Sequence, residues 1–183
     1  MKKLILLVAA GLFPFTYVQA QTFSQSPDTL PQVQILGKHE RNYFLAFVRA
    51  NRPLSVERML WESKAPQLLA GLPDDAGNTP LIIAAENGYF SIVRILLSPQ
   101  YGVNVNSVNA DNQTALCVAA KNKQVQAVKY LLAHPKINVD YECGPESERK
   151  TAFLIAAQNG AVPEILQALI DAHANALPRE KRR

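Results

Sequence analysis

Cysteine and histidine are scarce in this chain of 183 residues, which has two cysteines and three histidines. No pair of them stands at the spacing of metal ligands, so the sequence predicts neither a zinc site nor any other metal site. The sequence also lacks a G-x-S-x-G motif and a Gly-rich phosphate loop. The three histidines are His39, His134 and His173, and none has a nearby arrangement of a nucleophile together with a carboxylate that the sequence supports. No catalytic residue and no cofactor is therefore predicted, although an enzyme with dispersed catalytic residues remains the rival from a different class.

Long apolar runs are also missing. The longest is at the N-terminus, where Met1-Lys2-Lys3 precedes a largely apolar stretch from Leu4 to Val18. About 20 apolar residues are needed to span a bilayer, and this run is shorter and contains Pro14, so no stable membrane anchor is predicted. Small residues at Val18 and Ala20 suit signal peptidase, and no cysteine follows that would indicate a lipoprotein. The prediction is a signal peptide over residues 1–20, cleaved after Ala20, and export to the periplasm of a Gram-negative cell.

Charge of one sign is not in excess over the body of the chain. Removing residues 1–20 leaves 17 basic and 15 acidic residues, and the tail at 179–183 holds four of the basic ones. No basic stripe with interleaved aromatic residues occurs, so nucleic acid is not a predicted partner. The basic tail is interpreted as a solvated end, with weak contact to an anionic membrane as the alternative. Residues 21–38 are predicted to be a flexible leader because their first part is polar and rich in Ser, Thr and Pro.

Three similar stretches stand out: TPLIIAAENG from Thr79, TALCVAAKNK from Thr114 and TAFLIAAQNG from Thr151. They are 35 and 37 residues apart, and self-similarity at such a period indicates stacked repeats. Each threonine is placed to cap a helix, and Gly88 and Gly160 are placed to end one, whereas Lys123 stands at the corresponding position of the middle stretch. A second echo, x-Asn-Val-x, occurs at 103–106 and 137–140.

The pattern resembles the ankyrin repeat, whose unit of about 33 residues carries T-P-L-H-x-A at its helix start. The usual histidine is replaced by Ile82, Cys117 and Leu154. The resemblance implies an all-α solenoid of about four helix-turn-helix units with short hairpin loops. The ankyrin-repeat domain is predicted at 39–178, with units at about 39–73, 74–109, 110–146 and 147–178.

Apolar spacing predicts which side chains face inward in each outer helix. In the divergent first unit the outer helix is assigned to Val56, Met59, Leu60 and Trp61, and this unit is either a capping repeat or a docked helical hairpin. The predicted inward-facing residues of the outer helices are Ile92, Val93, Leu96 and Leu97 in the second unit, Val125, Val128, Leu131 and Leu132 in the third, and Ile165, Leu166, Leu169 and Ile170 in the fourth.

Ankyrin-like stacks bind partners along the hairpin tips and the exposed face of the inner helices. Carried over by alignment, the implied partner-binding residues are Asn51, Asp75, Asn78, Glu86, Asn87, Asp111, Gln113, Lys121, Asn122, Glu148, Lys150, Gln158 and Asn159. The recurring asparagines have two readings, a polar ladder facing a partner or chemistry of the helix C-terminus, where Asn tolerates the turn. Tyr89, Phe90 and Tyr101 are candidate aromatic anchors, with a core position as the alternative for Phe90.

Cys117 and Cys143 are predicted to be two separate cysteines, with a disulfide as the alternative. An oxidising compartment permits the bridge. However, bridging requires Cα atoms within about 7 Å, whereas helices of neighbouring units lie about 8–10 Å apart.

The resemblance implies a non-catalytic protein that binds another exported protein and is monomeric until bound. Similar exported bacterial proteins are associated with supporting catalase-type enzymes or with immunity against secreted toxins. A chaperone or envelope scaffold is a third reading, because fold alone does not fix function.

Overall fold

The computed structural model describes the backbone of residues 31–176 and the side chains of residues 39–176. Within these residues the chain forms nine α-helices and no β-strand, so the predicted all-α class is confirmed. In chain order they are α1 (Pro31–Arg49), α2 (Pro53–Glu62), α3 (Pro66–Gly71), α4 (Pro80–Glu86), α5 (Phe90–Leu96), α6 (Ala115–Lys121), α7 (Val125–Leu132), α8 (Ala152–Gln158) and α9 (Pro163–Ala176). The predicted signal peptide, residues 21–30 of the leader and the basic tail lie outside the described residues.

The helices form two layers. Helices α1, α4, α6 and α8 pack side by side as the inner layer, and α2, α5, α7 and α9 form the outer layer. Each inner helix also packs on the outer helix that follows it in its own unit. This arrangement is the predicted solenoid of stacked helix-turn-helix units, in which each unit contacts only its neighbours.

The three repeated threonines start the inner helices as predicted. The hydroxyl oxygens of Thr79 and Thr114 accept hydrogen bonds from the backbone N–H groups of Ile82 and Cys117, both at 3.3 Å, and Thr151 accepts from Leu154 at 3.4 Å. These bonds satisfy backbone donors that have no partner inside the helix. The repeated Thr therefore fixes where each inner helix begins.

The core runs along the length of the stack between the two layers. Small residues allow the inner helices to approach closely, and the paired alanines at 84–85 and 119–120 are fully buried. Most of the predicted inward positions of the outer helices are buried too, among them Val93, Val128, Leu131 and Leu169. Lys123, which stands where the other units have glycine, adopts the left-handed conformation with φ of 58°. The turn geometry of the repeat is therefore kept in the absence of the glycine.

The first unit differs from the prediction. Helix α1 begins at Pro31, so residues 31–38 are helical rather than part of a flexible leader; the polar composition that suggested a leader stops at Pro31, a residue that helices accept in their first turn. The unit also contains the short helix α3 between α2 and α4. Trp61, one of the apolar residues assigned to the outer helix of this unit, is 84% exposed. Val56 and Leu60 occupy the buried face of α2, and Leu54 and Trp61 lie on its opposite face.

The last unit differs as well. Ile170 was predicted to face inward but is 47% exposed, because no further unit among the described residues covers the side of α9 on which it lies. The boundary predicted between residues 146 and 147 falls inside a hairpin, since Cys143 and Lys150 bridge across it.

Two glycines with positive φ provide a matched test of how closely the hairpins stack. Gly77 (φ 77°) and Gly160 (φ 61°) both occupy the left-handed region, but a Cβ on Gly77 would lie 2.8 Å from the backbone nitrogen of Ala110, whereas one on Gly160 would meet nothing within 4 Å. We expect Gly160→Ala to lower the free energy of unfolding by about 1 kcal/mol, the conformational cost alone.

Gly77→Ala is expected to cost about 1–3 kcal/mol more than Gly160→Ala, because the backbone of the next hairpin must move. Urea unfolding of the two variants, followed by circular dichroism, measures the difference. Equal midpoints would show that the hairpins around Gly77 and Ala110 are not in close contact.

Candidate functional site

The C-terminal ends of the inner helices carry the clearest set of accessible polar groups. Glu86, Lys121 and Gln158 occupy the same position in α4, α6 and α8, and all three are exposed. Among the described residues, neither Glu86 nor Lys121 forms an ion pair. A negative, a positive and an amide group therefore follow one another along the inner layer without being neutralised by the fold.

The asparagine beside each of these residues serves its own helix. The side-chain amides of Asn87 and Asn159 donate to the carbonyl oxygens of Ile83 and Ile155, four residues earlier, at 2.9 and 2.7 Å. This is the helix C-terminal chemistry that the sequence left open as the alternative to a binding ladder. Asn122 caps the C-terminus of α6 and is exposed.

Asn51 follows α1 and adopts a positive φ of 50°. The residue is exposed and follows the first inner helix. Its backbone conformation is one that asparagine tolerates better than most residues, which explains this residue type by turn chemistry alone.

At the hairpin tips the predicted residues divide into exposed and engaged groups. Asp75 and Asp111 are exposed; Asp75 lies 3.2 Å from the guanidinium group of Arg41. Asn78 is instead used inside the fold, because its side-chain oxygen accepts from the Asn109 amide of the next hairpin at 2.9 Å. The backbone N–H of Gln113 donates to the Asn109 side chain, also at 2.9 Å.

The hairpin that opens the last unit is acidic and partly neutralised. Glu148 lies 3.7 Å from the ammonium group of Lys150, and Glu146 lies 3.5 Å from the guanidinium group of Arg149. All four residues are at or near the surface, where such pairs contribute little to stability. Glu148 and Lys150 therefore remain accessible to a partner.

The aromatic candidates have different environments. Tyr101 is 5% exposed and belongs to the core, so it is not available as an anchor. Phe90 is 37% exposed and packs edge-on against Tyr130, with ring centroids 5.4 Å apart. Tyr89 is half-buried, and its hydroxyl donates to the carbonyl oxygen of Arg49 at 3.4 Å.

Sequence reasoning did not identify a set of asparagines that join successive hairpins. The Asn106 side chain donates to the carbonyl oxygen of Lys136 at 2.7 Å and accepts from the N–H of Asn138 at 2.8 Å. Asn112 donates to the carbonyl oxygens of Glu142 and Gly144 in the following hairpin. The repeated x-Asn-Val-x segment gave no signal for these two residues, because its matching asparagines are Asn104 and Asn138, whereas Asn106 corresponds to Asp140 and Asn112 lies outside the segment.

Cys117 and Cys143 form a disulfide, with their Cα atoms 6.5 Å apart, so the default prediction of two separate cysteines is wrong. That prediction used the distance between neighbouring helices, but Cys143 lies in a hairpin. Its backbone exchanges two hydrogen bonds with Lys150, at 2.9 and 3.0 Å, and the hairpin carries it to the start of α6. The bridge therefore links α6 covalently to the hairpin of the next unit.

His173 lies near the end of α9, where its Nδ1 is 2.6 Å from a carboxylate oxygen of Asp140. Both side chains are about half exposed. His134 is half-buried, and its Nδ1 accepts from the backbone N–H of Lys136 at 3.3 Å.

Within the described residues, no group of three or more His, Cys, Asp and Glu side chains has the arrangement of a metal site. In the same part of the chain, every helix is too short or too polar to cross a membrane.

Comparison with known proteins shows what family these features belong to. The family described as "Ankyrin repeats (3 copies)" matches residues 44–143. The "Ankyrin repeat domain-containing protein SAT10" of Stachybotrys chartarum is 40% identical over 68 residues, which is 35% of this chain and 4% of that protein. The "Transient receptor potential cation channel subfamily A member 1" of Homo sapiens is 30% identical over 128 residues, which is 70% of this chain and 11% of that protein.

The "Alpha-latroinsectotoxin-Lt1a" of Latrodectus tredecimguttatus is 36% identical over 90 residues, which is 46% of this chain and 6% of that protein. The chain thus spans a small part of the length of each relative, and the similarity is that of the repeat itself. Stacked units of this kind are protein–protein interaction modules. The family match over residues 44–143, the three capped inner helices and the two-layer stack together place this chain in the ankyrin-repeat family.

Proposed function

We propose that this chain is a non-catalytic binding protein of the bacterial periplasm, which protects, inhibits or supports another exported protein. The observation that carries the proposal is the row formed by Glu86, Lys121 and Gln158 at the ends of three consecutive inner helices. These side chains are exposed, and Glu86 and Lys121 form no ion pair within the described residues, whereas the asparagines beside them at 87 and 159 bond to their own helices. Polar groups kept at the same point of successive units fit recognition of one extended partner surface.

Two observations support export. The sequence has the basic start, the apolar run and the small residues of a signal peptide at positions 1–20. In addition, the disulfide between Cys117 and Cys143 fits an oxidising compartment, since such bridges are rare in the reducing cytosol.

Export is tested by fractionating bacterial cells that express the full chain and determining the N-terminal residue of the purified protein. The expected result is recovery in the periplasmic fraction with Gln21 as the first residue and with no free thiol detected before reduction. Recovery from the cytoplasm with Met1 intact would contradict the periplasmic assignment.

The binding surface is tested with the double variant Glu86→Ala/Lys121→Ala and a partner captured from periplasm and then identified. We expect calorimetric titration to show affinity reduced by about 30-fold, since truncating a charge buried in an interface costs about 2 kcal/mol or more. Folding stability should change by less than about 0.5 kcal/mol, because both side chains lie on the surface.

The matched control is Glu57→Ala/Arg94→Ala, which removes the same two charges from the exposed side of outer helices α2 and α5. Unlike Lys129, which lies 3.1 Å from Glu164, neither control residue forms an ion pair among the described residues. If this control loses affinity while the inner-helix variant keeps it, the partner binds on the outer-helix side of the stack.

A further inference from the structure

The last unit exposes apolar residues that the earlier units bury. The second residue after each capping threonine is Leu81, Leu116 or Phe153, and these are 1%, 1% and 37% exposed. The third residue is Ile82, Cys117 or Leu154, with exposures of 1%, 2% and 47%. In the interior of the stack the following unit covers these positions. The surface formed by Phe153, Leu154 and Ile170, here called the end face, has no such cover among the described residues.

A cavity of about 360 Å³ opens at the edge of this end face. Its lining is mostly apolar and comes from the loop that follows α7, the start of α8 and the end of α9. The lining residues are Val139, Asp140, Thr151, Phe153, Leu169, Ile170, His173 and Ala174. Asp140 is the one carboxylate among these residues. The cavity therefore has a mostly apolar lining with one carboxylate, that of Asp140, which lies 2.6 Å from the ring nitrogen of His173.

The interior of the stack shows what kind of chain occupies such a position. Asn106 is the counterpart of Asp140 in the repeated x-Asn-Val-x segment, and it bonds to the loop segment 136–139 of the next unit through the Lys136 carbonyl oxygen and the Asn138 N–H. Ile137 and Val139 of that segment pack against the core. A loop segment that carries two aliphatic side chains thus packs on the core at this point of the stack.

Asp140 changes the chemistry of this position. An asparagine amide both donates and accepts, whereas an ionised carboxylate only accepts. A segment that binds beside Asp140 must therefore offer hydrogen-bond donors, either backbone N–H groups or a Lys or Arg side chain. The carboxylate of Asp140 is 56% exposed and has His173 as its present partner.

We propose that the end face and its cavity dock a short, basic loop segment of the partner protein. An aliphatic side chain of that segment enters the cavity, and a neighbouring Lys or Arg donates to Asp140. This inference rests on the proposed function, that the chain binds another exported protein, and it names a second contact on that partner in addition to the inner-helix row.

The probe is a synthetic peptide, acetyl-Lys-Ile-Asn-Val-Lys-amide, titrated into the full chain and followed by fluorescence or calorimetry. We expect saturable binding that weakens with added salt, and no binding of the matched peptide in which both Lys are replaced by Glu. Ile170→Arg should weaken binding about tenfold or more by placing a large cation at the cavity. Asp140→Asn should also weaken binding and reduce its dependence on salt.

The control variant is Val162→Arg, which adds the same side chain to the same unit at a residue that is 40% exposed and does not line the cavity. It should bind the peptide as the unchanged protein does, and circular dichroism should show both arginine variants folded. Three results would overturn the proposal. The basic and acidic peptides could bind equally, neither peptide could bind, or peptide binding could be lost equally in both arginine variants.

Two other occupants have distinct signatures. Sedimentation that shows a dimer lost in Ile170→Arg would assign the end face to a second copy, and peptide binding that requires deletion of residues 177–183 would assign it to that segment; either result overturns the proposal. The captured partner separates this inference from the proposed function. Affinity lowered by Glu86→Ala/Lys121→Ala but unchanged by Ile170→Arg would leave the binding function standing and remove the end-face contact.

Discussion

Loss of the Cys117–Cys143 bridge is expected to lower the free energy of unfolding by about 3–4 kcal/mol. The two cysteines are 26 residues apart, and closing a loop of that length restricts the unfolded chain by about this amount in the chain-entropy account. Both side chains are also almost completely buried, at 2% and 1% exposure, so the double variant Cys117→Ala/Cys143→Ala leaves small gaps between α6 and the next hairpin. The measurement is urea unfolding of the oxidised protein and of the double variant.

Reductant provides the internal control for this experiment. Adding it should shift the unfolding midpoint of the unchanged protein towards that of the double variant and leave the double variant where it is. If the thiols of the unchanged protein become titratable but its unfolding midpoint does not shift, the bridge does not stabilise the fold. Thiol titration under denaturing conditions before reduction should detect no free cysteine.

The position of the bridge links it to the proposed binding surface. Cys117 lies in α6, whose last residue is Lys121, and Cys143 lies in the hairpin that also carries Glu148 and Lys150. The covalent link therefore fixes the inner helix relative to the hairpin of the next unit. Pre-organising two such groups reduces the entropy lost on binding, so we expect the reduced protein to bind its partner more weakly even where it stays folded.

The fold could be predicted from the sequence because the same local features recur in three successive units. Each capping threonine, the alanines that follow it and the spacing of the outer apolar residues agree with one architecture, and such agreement across levels indicates a specified fold. Lys123 shows how strong this agreement is: the chain adopts the left-handed turn at that point without the expected glycine.

The errors cluster where periodicity carries no information. A hydrophobic pattern predicts that one face of a helix is apolar, but it does not show whether another unit covers that face. Ile170 in the last unit is predicted to lie inside for this reason, although it is exposed, and Trp61 in the first unit is an exposed apolar residue on the face of α2 opposite Val56 and Leu60. The first and last units have a neighbouring unit on one side only among the described residues, and these two residues lie in those units.

The candidate site was predictable only in part. Alignment of the units located the exposed ends of the inner helices at Glu86, Lys121 and Gln158. It did not show that Asn78 is engaged by Asn109, or that Tyr101 is buried, because both facts depend on how one hairpin contacts the next. The disulfide belongs to the same class, since the enlarged hairpin that holds Cys143 has no counterpart in the other units from which its path could be read.

Truncation of Leu131 to alanine is expected to destabilise the whole stack. This side chain is fully buried in α7, which packs between α5 and α9, and replacing a core leucine by alanine costs about 2–5 kcal/mol. Each unit of a solenoid depends on its neighbours, so the loss should reach the units on both sides. The measurements are the urea midpoint and hydrogen exchange of amides in α4 and α8, which should both exchange faster in Leu131→Ala.

The matched control makes the same substitution on the surface. Leu54 is 81% exposed on α2, and Leu54→Ala should change stability by less than about 0.5 kcal/mol. Comparable destabilisation of the two variants would show that Leu131 is not in the core. Faster exchange in α8 of the Leu131→Ala variant, with α4 unchanged, would show that the units unfold separately. The stack would then lose the cooperativity that holds Glu86, Lys121 and Gln158 in one row for a partner.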